Sequence, residues 1–403
     1  MTIGMILDNE FTGDMRVENE VISLVEAGHQ VYVLCFNYGN KKPFENYHGG
    51  EIVRIKINSK YKDKMKGLTN TFFDPYTKYW AKQIFSFIKN YKIEVLHVHD
   101  LVLLGGAFKA VKKLATKIPV VSDLHENYPE ALKYYKFSNT FPGNILISVP
   151  KWERTEIKWI DQADYIITVI EEAVARYERL GADKNKITVV ANYVNSDEFL
   201  NAETVDSILE KFKGQFVLSY LGGFDSHRGL ESVIKAVPLV KDQIPNFKLV
   251  LVGAGRNLED LKQLVNSLNV QDQVVFEGWQ LPSTLPTYIS ASSLCLIPHL
   301  KTGHTDNTIP HKLFQYMLLG KPVLSTNCDP LERIIKETKS GLIFKSNDEK
   351  HLAEQIKYAY NNPEATKQMG ENGIKAVKDI YNWENTAQNL INLYKKIESK
   401  QSS

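Results

Sequence analysis

Short runs of β-branched and aromatic residues alternate with amphipathic stretches almost throughout the chain. TIGMILD, QVYVLCF, EVLHVH, IPVVSDLH, DYIITVI and ITVVANY are strand candidates in the first half. Between several of them lie segments with helical spacing of apolar residues, such as 17–26 and 76–91. This alternation predicts βαβ units and a parallel sheet covered on both faces. The pattern weakens over the polar stretch 196–214, which has a charged helical character. It then restarts with QFVLSYLG, FKLVLVG, QVVFEG, SLCLIP, PVLST and GLIF. Two doubly wound α/β domains are expected, at residues 1–200 and 201–380, with a helical tail, 381–403, crossing back to the first. Ligands of such sheets bind outside the carboxyl ends of the strands. Two such domains facing each other enclose a cleft, so the residues just after strands carry the chemistry.

A length of 403 residues already favours two domains. Net charge is +2, so no whole-protein field favours nucleic acid or an acidic partner. Cys35, Cys295 and Cys328 lie far apart, which suits a reducing compartment rather than a disulfide framework or a zinc site. The start, MTIGMILDNEF, lacks a basic segment before a long apolar run, and no uncharged apolar stretch reaches the ~20 residues that span a bilayer. The expected location is cytoplasmic. Peripheral contact with the inner face of a membrane stays open, because KYKDKMKGLTNTFFDPYTKYW mixes lysines with aromatics; a helix with a buried aromatic face reads the same way.

Candidate chemistry concentrates in the second half. In SYLGGFDSHRGLESVIKA, Gly222 and Gly223 allow close backbone approach. Arg228 stands near the start of the next helix, where amides and the helix dipole favour an anion. A solvent-exposed arginine after a glycine-rich turn is the plain alternative. LVLVGAGRNLED lacks the third glycine of a dinucleotide fingerprint, Leu258 standing there, so Gly253 and Gly255 read as close-packing positions. Trp279, after VVFEG, either flanks a nucleobase or belongs to the core. NTIPHKLFQYMLLGKPV reads as a helix opening at Pro310 and closing at Gly320. Lys312 in its first turn opposes the dipole, which suggests an anion between the ammonium and the helix start.

These segments, in this order, resemble the C-terminal half of retaining GT-B glycosyltransferases of glycosyltransferase family 4. FTGDMRVENEVISLVEAGHQVYVL, VLHVHD and VVSDLHENYPE resemble the N-terminal half. The resemblance covers about residues 1–390 and implies two Rossmann-like domains facing a central cleft. It implies that His125 touches the donor sugar and that Arg228 holds the donor diphosphate. A second arginine of the family falls on Gly223, and Lys312 is expected to supply the missing charge. The family's E-x7-E pair falls on Asn307 and Gln315. Gln315 can still accept a hydrogen bond from a ribose hydroxyl, about 1 kcal/mol weaker than a carboxylate's. Thr308 adds a backbone N–H near a phosphate.

The implied reaction is retaining transfer of a sugar from a nucleotide-sugar donor, UDP ahead of GDP, to a hydroxyl of a saccharide or lipid-linked saccharide, in surface polysaccharide or glycolipid assembly. The leaving phosphate helps to take the acceptor proton, so neither a carboxylate nucleophile, a metal nor another cofactor is required. His304 is the candidate sugar contact among the nearby histidines. Asp14, Arg16, His99 and Glu126 are expected on the acceptor or cleft side. His97 and His99 form one H-x-H, a weak metal signal without a third spaced ligand. An epimerase on the same architecture would need a carboxylate acid–base pair, and none is evident. A non-catalytic partner subunit would explain Asn307 and Gln315.

Overall fold

The computed structural model describes residues 1–134, 138, 140–141, 143–193, 199 and 203–401. The first half forms β1 (Thr2–Ile6), β2 (Gln30–Asn37), β3 (Phe44–Tyr47), β4 (Gly50–Lys56), β5 (Val95–His99), β6 (Val120–Leu124), β7 (Tyr165–Thr168) and β8 (Ile187–Val189). They make one sheet in the order β3-β4-β2-β1-β5-β6-β7-β8. Only β3–β4 is antiparallel. Strands β1, β5, β6 and β7 are buried along almost their whole length, as expected of parallel strands covered by helices on both faces. The helix Met15–Glu26 is set by Asp14, whose carboxylate caps Val17 N, and buries Val17, Val21 and Leu24 at helical spacing.

The second half forms β9 (Phe216–Leu221), β10 (Phe247–Val252), β11 (Val274–Gly278), β12 (Leu294–Ile297), β13 (Val323–Thr326) and β14 (Gly341–Phe344). Their order is β11-β10-β9-β12-β13-β14, all parallel. The strand order reverses between β1 and β5 in one sheet and between β9 and β12 in the other. Segments leaving those strands are therefore where a doubly wound sheet offers a crevice.

The chain divides into Met1–Asn192 with Glu384–Ser403, and Tyr193–Trp383. The terminal helix, Trp383–Gln401, places Tyr394 beneath the first sheet, with its hydroxyl 2.9 Å from His97 Nδ1. Thr386 Oγ1 accepts from Ala191 N at 2.7 Å.

Two expectations need correction. The β3–β4 hairpin is an addition, because Phe44–Tyr47 is largely exposed and carries no inward alternation. Strand β8 covers only Ile187–Val189 of ITVVANY, since the Ala191 amide bonds to Thr386. In the polar stretch 196–214, residues 196–198 and 200–202 lie outside the described residues, and the helix Asp206–Phe212 agrees with its charged helical character. Among the described residues no helix is long and apolar enough to cross a membrane.

Candidate functional site

The turns after β9 and β10 lie backbone against backbone. Gly222 and Gly253 both have φ of 142°, a region that favours glycine. A Cβ on Gly253 would stand 2.0 Å from the Gly222 carbonyl oxygen, and one on Gly255 would stand 2.4 Å from Phe224 N. A Cβ on Gly222 would stand 2.6 Å from Lys312 Nζ. These glycines close-pack the two turns and bring a cation against the end of β9. The Gly223 carbonyl accepts from the Tyr220 hydroxyl at 2.8 Å.

Arg228 ends the short turn Ser226–Arg228. The following Gly229 touches the segment after β12 so closely that a Cβ would meet Pro298 O at 2.1 Å. This contact sets Arg228 Nη1 2.9 Å from His299 Nε2. Arg228 Nε is buried without a hydrogen-bond partner among the described residues.

The helix expected from Pro310 is shorter and runs Lys312–Leu318. Leu313 N bonds to Pro310 O at 3.1 Å, so Pro310 opens a tight turn ahead of it. Lys312 Nζ donates to Leu221 O at 2.5 Å and lies 4.1 Å from the Tyr220 ring centroid. A carbonyl and an aromatic face thus lie against the Lys312 nitrogen. One turn on, Tyr316 OH accepts from Leu221 N at 3.3 Å.

The electrostatics of this region are one-sided. Burial, then the charge of Arg228, pushes the Lys312 ammonium well below its usual range. Burial, then Lys312 and Arg228, does the same to His299. His227 is driven down to about 4 by burial and then Arg228. Burial and like charge therefore disfavour the protonated forms of His227, His299 and Lys312 beside Arg228. Among the described residues neither Arg228 nor Lys312 makes an ion pair with a carboxylate.

The remaining residues of this half form its outer parts. Asn307 Nδ2 donates to Gly303 O at 2.8 Å and Thr308 Oγ1 to His304 O at 3.2 Å, so both tie down their own loop. Gln315 is half-buried on the Lys312 helix. Trp279 is 68% exposed after β11, which rules out the core reading.

In the first half, Arg16 and His99, expected on the acceptor or cleft side, are both buried. Arg16 Nε donates to Glu20 Oε1 at 2.9 Å, and its Nη2 binds Asp123 Oδ1. The opposite oxygen, Asp123 Oδ2, meets His97 Nε2 at 3.2 Å, His99 Nδ1 at 3.3 Å and His125 Nε2 at 3.4 Å. Glu20 Oε2 and His99 Nε2 lie 3.9 Å apart, both buried without a hydrogen-bond partner. Burial, then Asp123, raises the Glu20 carboxyl to about 7. Asp123 stays well below the usual carboxylate range, since Arg16 and His125 outweigh its burial. Burial and Arg16 oppose protonation of His125, but Asp123 and Asp100 prevail and raise it to about 8.

Glu20, His97, His99 and Asp123 have donor atoms within 4.8 Å of one another, a set that suits a divalent cation by type. Here the Arg16 guanidinium already supplies a positive charge to both carboxylates. Of these groups His125 is the one that reaches the surface, with Asp100 Oδ1 3.6 Å from its Nδ1. Beside it opens a cavity of about 810 Å³ whose walls include Asp100, Val102, Glu126, Leu132, Ile147 and Trp152. Asp14 serves as a helix cap. Glu20, Asp123, His227 and the cavity were not anticipated from sequence. The four-residue spacing of Arg16 and Glu20 was the readable signal for the first of these.

The chain matches two family descriptions, "Glycosyltransferase Family 4" over residues 15–198 and "Glycosyl transferases group 1" over residues 201–376. An uncharacterized glycosyltransferase of Haemophilus influenzae is 25% identical over 89% of this chain and 90% of its own. Sucrose-phosphate synthase from Thermosynechococcus elongatus superposes with a TM-score of 0.77 at 17% identity, covering 99% of this chain and 100% of that one. Anabaena Alr3699/HepE in complex with UDP gives 0.74 at 14% identity, over 98% of this chain and 100% of that one. With both halves matched and two Rossmann-like domains in place, the chain is a GT-B glycosyltransferase of the family 4 type.

Proposed function

We propose that this glycosyltransferase moves a sugar, with retention of configuration, from a nucleotide-sugar donor to a hydroxyl of a saccharide or lipid-linked saccharide. Surface polysaccharide or glycolipid assembly is the setting. The observation that carries the reading is the pair Arg228 and Lys312, two basic groups with no carboxylate partner among the described residues, at the close-packed glycine turns after β9 and β10. Breaking a glycosidic bond to phosphate builds negative charge on the departing diphosphate. Fixed cations in a poorly solvated site stabilise that charge as it forms. The neutral His227 and His299 add donors without adding charge that must be held before the ligand arrives.

In this reading Gln315 takes the ribose hydroxyls and Trp279 flanks the base. His304, Asn307 and Thr308 border the sugar and phosphates. UDP is the proposed nucleotide ahead of GDP, in line with the UDP bound by the Anabaena protein of the same fold. His125 contacts the donor sugar, held in place by Asp100 and Asp123. The leaving phosphate takes the acceptor proton, so the scheme calls for no metal or other cofactor. The deciding experiment incubates the protein with UDP-, GDP- and ADP-sugars and a panel of saccharide acceptors. It follows nucleotide release and the anomeric configuration of the product by NMR. An inverted product sinks the retaining assignment. An isomerised donor without transfer sinks glycosyl transfer.

A further inference from the structure

The cavity beside His125 is lined by residues of the first half between Asp63 and Trp152. One end is polar, formed by Asp100 and Glu126, with Asp100 in reach of His125. Asp63, Lys64 and Lys66 also reach the wall, but most of its surface is hydrocarbon, from residues such as Leu68, Val102, Leu132, Leu146, Ile147 and Trp152. Its volume, about 810 Å³, falls in the range of about 300–1,000 Å³ found for small-molecule sites. A purely polar saccharide on such a wall would lose water from its hydroxyls without replacement partners. A hydrocarbon chain would gain by leaving water there. The apolar end continues outward. Thr69 and Leu146 of the wall are followed or preceded in the chain by Phe72, 93% exposed, Phe73, 71% exposed, and Ile145, 74% exposed. Water-exposed side chains of that size form a ready track for an emerging chain.

We propose that this cavity holds the aliphatic part of an amphiphilic acceptor. The hydroxyl-bearing head lies at the Asp100–Glu126 end, and the hydrocarbon runs along Leu146 and Ile147 toward Phe72 and Phe73. The assignment rests on the glycosyl-transfer reading for the word acceptor, but the binding it asserts is measurable without any transfer.

The test uses the full chain and methyl, hexyl and octyl glucosides below their micelle concentrations. Binding is followed by tryptophan fluorescence, to which Trp152 in the wall contributes, and by calorimetry. Affinity is expected to rise with chain length, by up to about fourfold per methylene buried. Ile147→Glu, at a half-buried wall position, is expected to abolish the rise, and Leu146→Glu, at a more exposed one, to reduce it at least fivefold. A UDP-induced rise in melting temperature shows that each variant is folded. Equal affinity for methyl and octyl glucoside overturns the proposal, as does a chain-length rise that survives in both folded variants. Chain-length-dependent binding without transfer to any glucoside, from any donor, would count against the transfer reading and leave the cavity's occupant standing.

Discussion

The two charged clusters of this protein solve opposite problems. Around Asp123, two carboxylates are matched by Arg16 and by imidazoles, all from the same half of the chain. Around Arg228, two cations and neutral imidazoles gather with no carboxylate paired to either cation among the described residues. The first cluster pairs its carboxylates with Arg16 as folded, and the second is the one proposed to receive an anion. Breaking a buried, internally matched pair costs stability because it strands a charge. Removing one of two like charges relieves repulsion and costs function instead.

The largest effect expected from this contrast is on folding. Asp123→Ala should lower stability by about 3–5 kcal/mol, read from urea denaturation, because Arg16 then keeps only Glu20. A loss below about 1 kcal/mol would mean the cluster is not internally matched. Next come Arg228→Ala and Lys312→Met, each expected to lower kcat by about 10²–10³, or roughly 2.7–4 kcal/mol. Arg228→Ala should leave the melting temperature unchanged or raised. Near-wild-type turnover in both would remove the diphosphate assignment. A smaller change is expected of Gln315→Glu: nucleotide affinity should rise by about 1 kcal/mol, roughly fivefold by calorimetry, if this side chain meets the ribose. An unchanged affinity places the ribose elsewhere.

The smallest effects concern protons. The Glu20 carboxyl is held at about 7 against an ordinary value of 4.5. It therefore favours the folded state in its protonated form. That contribution is complete below about 4.5 and is lost as pH rises through about 7. His125, raised to about 8, adds a loss on the same alkaline side. Asp123, held low, acts in the other direction, its contribution fading as pH falls. Glu20→Gln should thus flatten, though not abolish, the fall in melting temperature between about pH 4.5 and 7. In the second cluster the sign is reversed by the ligand. A diphosphate would favour the protonated forms of Lys312, His227 and His299, which burial and Arg228 disfavour. Calorimetry in buffers of different ionisation enthalpy should show net proton uptake on UDP binding.

Much of this was readable in the sequence, and the exceptions have physical causes. The alternation of β-branched runs and amphipathic stretches located the parallel strands because such strands are apolar on both faces. It missed Phe44–Tyr47, whose pairing rests on an exposed hairpin rather than on burial. Pro310 marked the beginning of a helical segment but not its first α-helical residue, since the opening turn is tight. His99 falls at a strand end as expected, whereas Arg16, expected in the first loop, lies in the first turn of the helix Met15–Glu26. Motif position does not reveal which way a side chain turns, and both turn inward toward Asp123. The neutral state of His227 and His299 depends on cations brought close only by folding. The cavity draws its walls from residues spread between 63 and 152, beyond the reach of any local pattern.

One contact in the second cluster has a dynamic side. A single helix grips the Leu221 peptide on both edges, Lys312 on its carbonyl and Tyr316 on its amide. The cation assigned to the diphosphate is thus also a latch on the end of β9. A phosphate that draws Nζ toward itself loosens that latch, and the adjoining Gly222–Gly223 turn feels the change at once. Hydrogen–deuterium exchange at Leu221, Gly222 and Gly223 should then act as a built-in gauge of donor occupancy, legible without a label and before any sugar has moved.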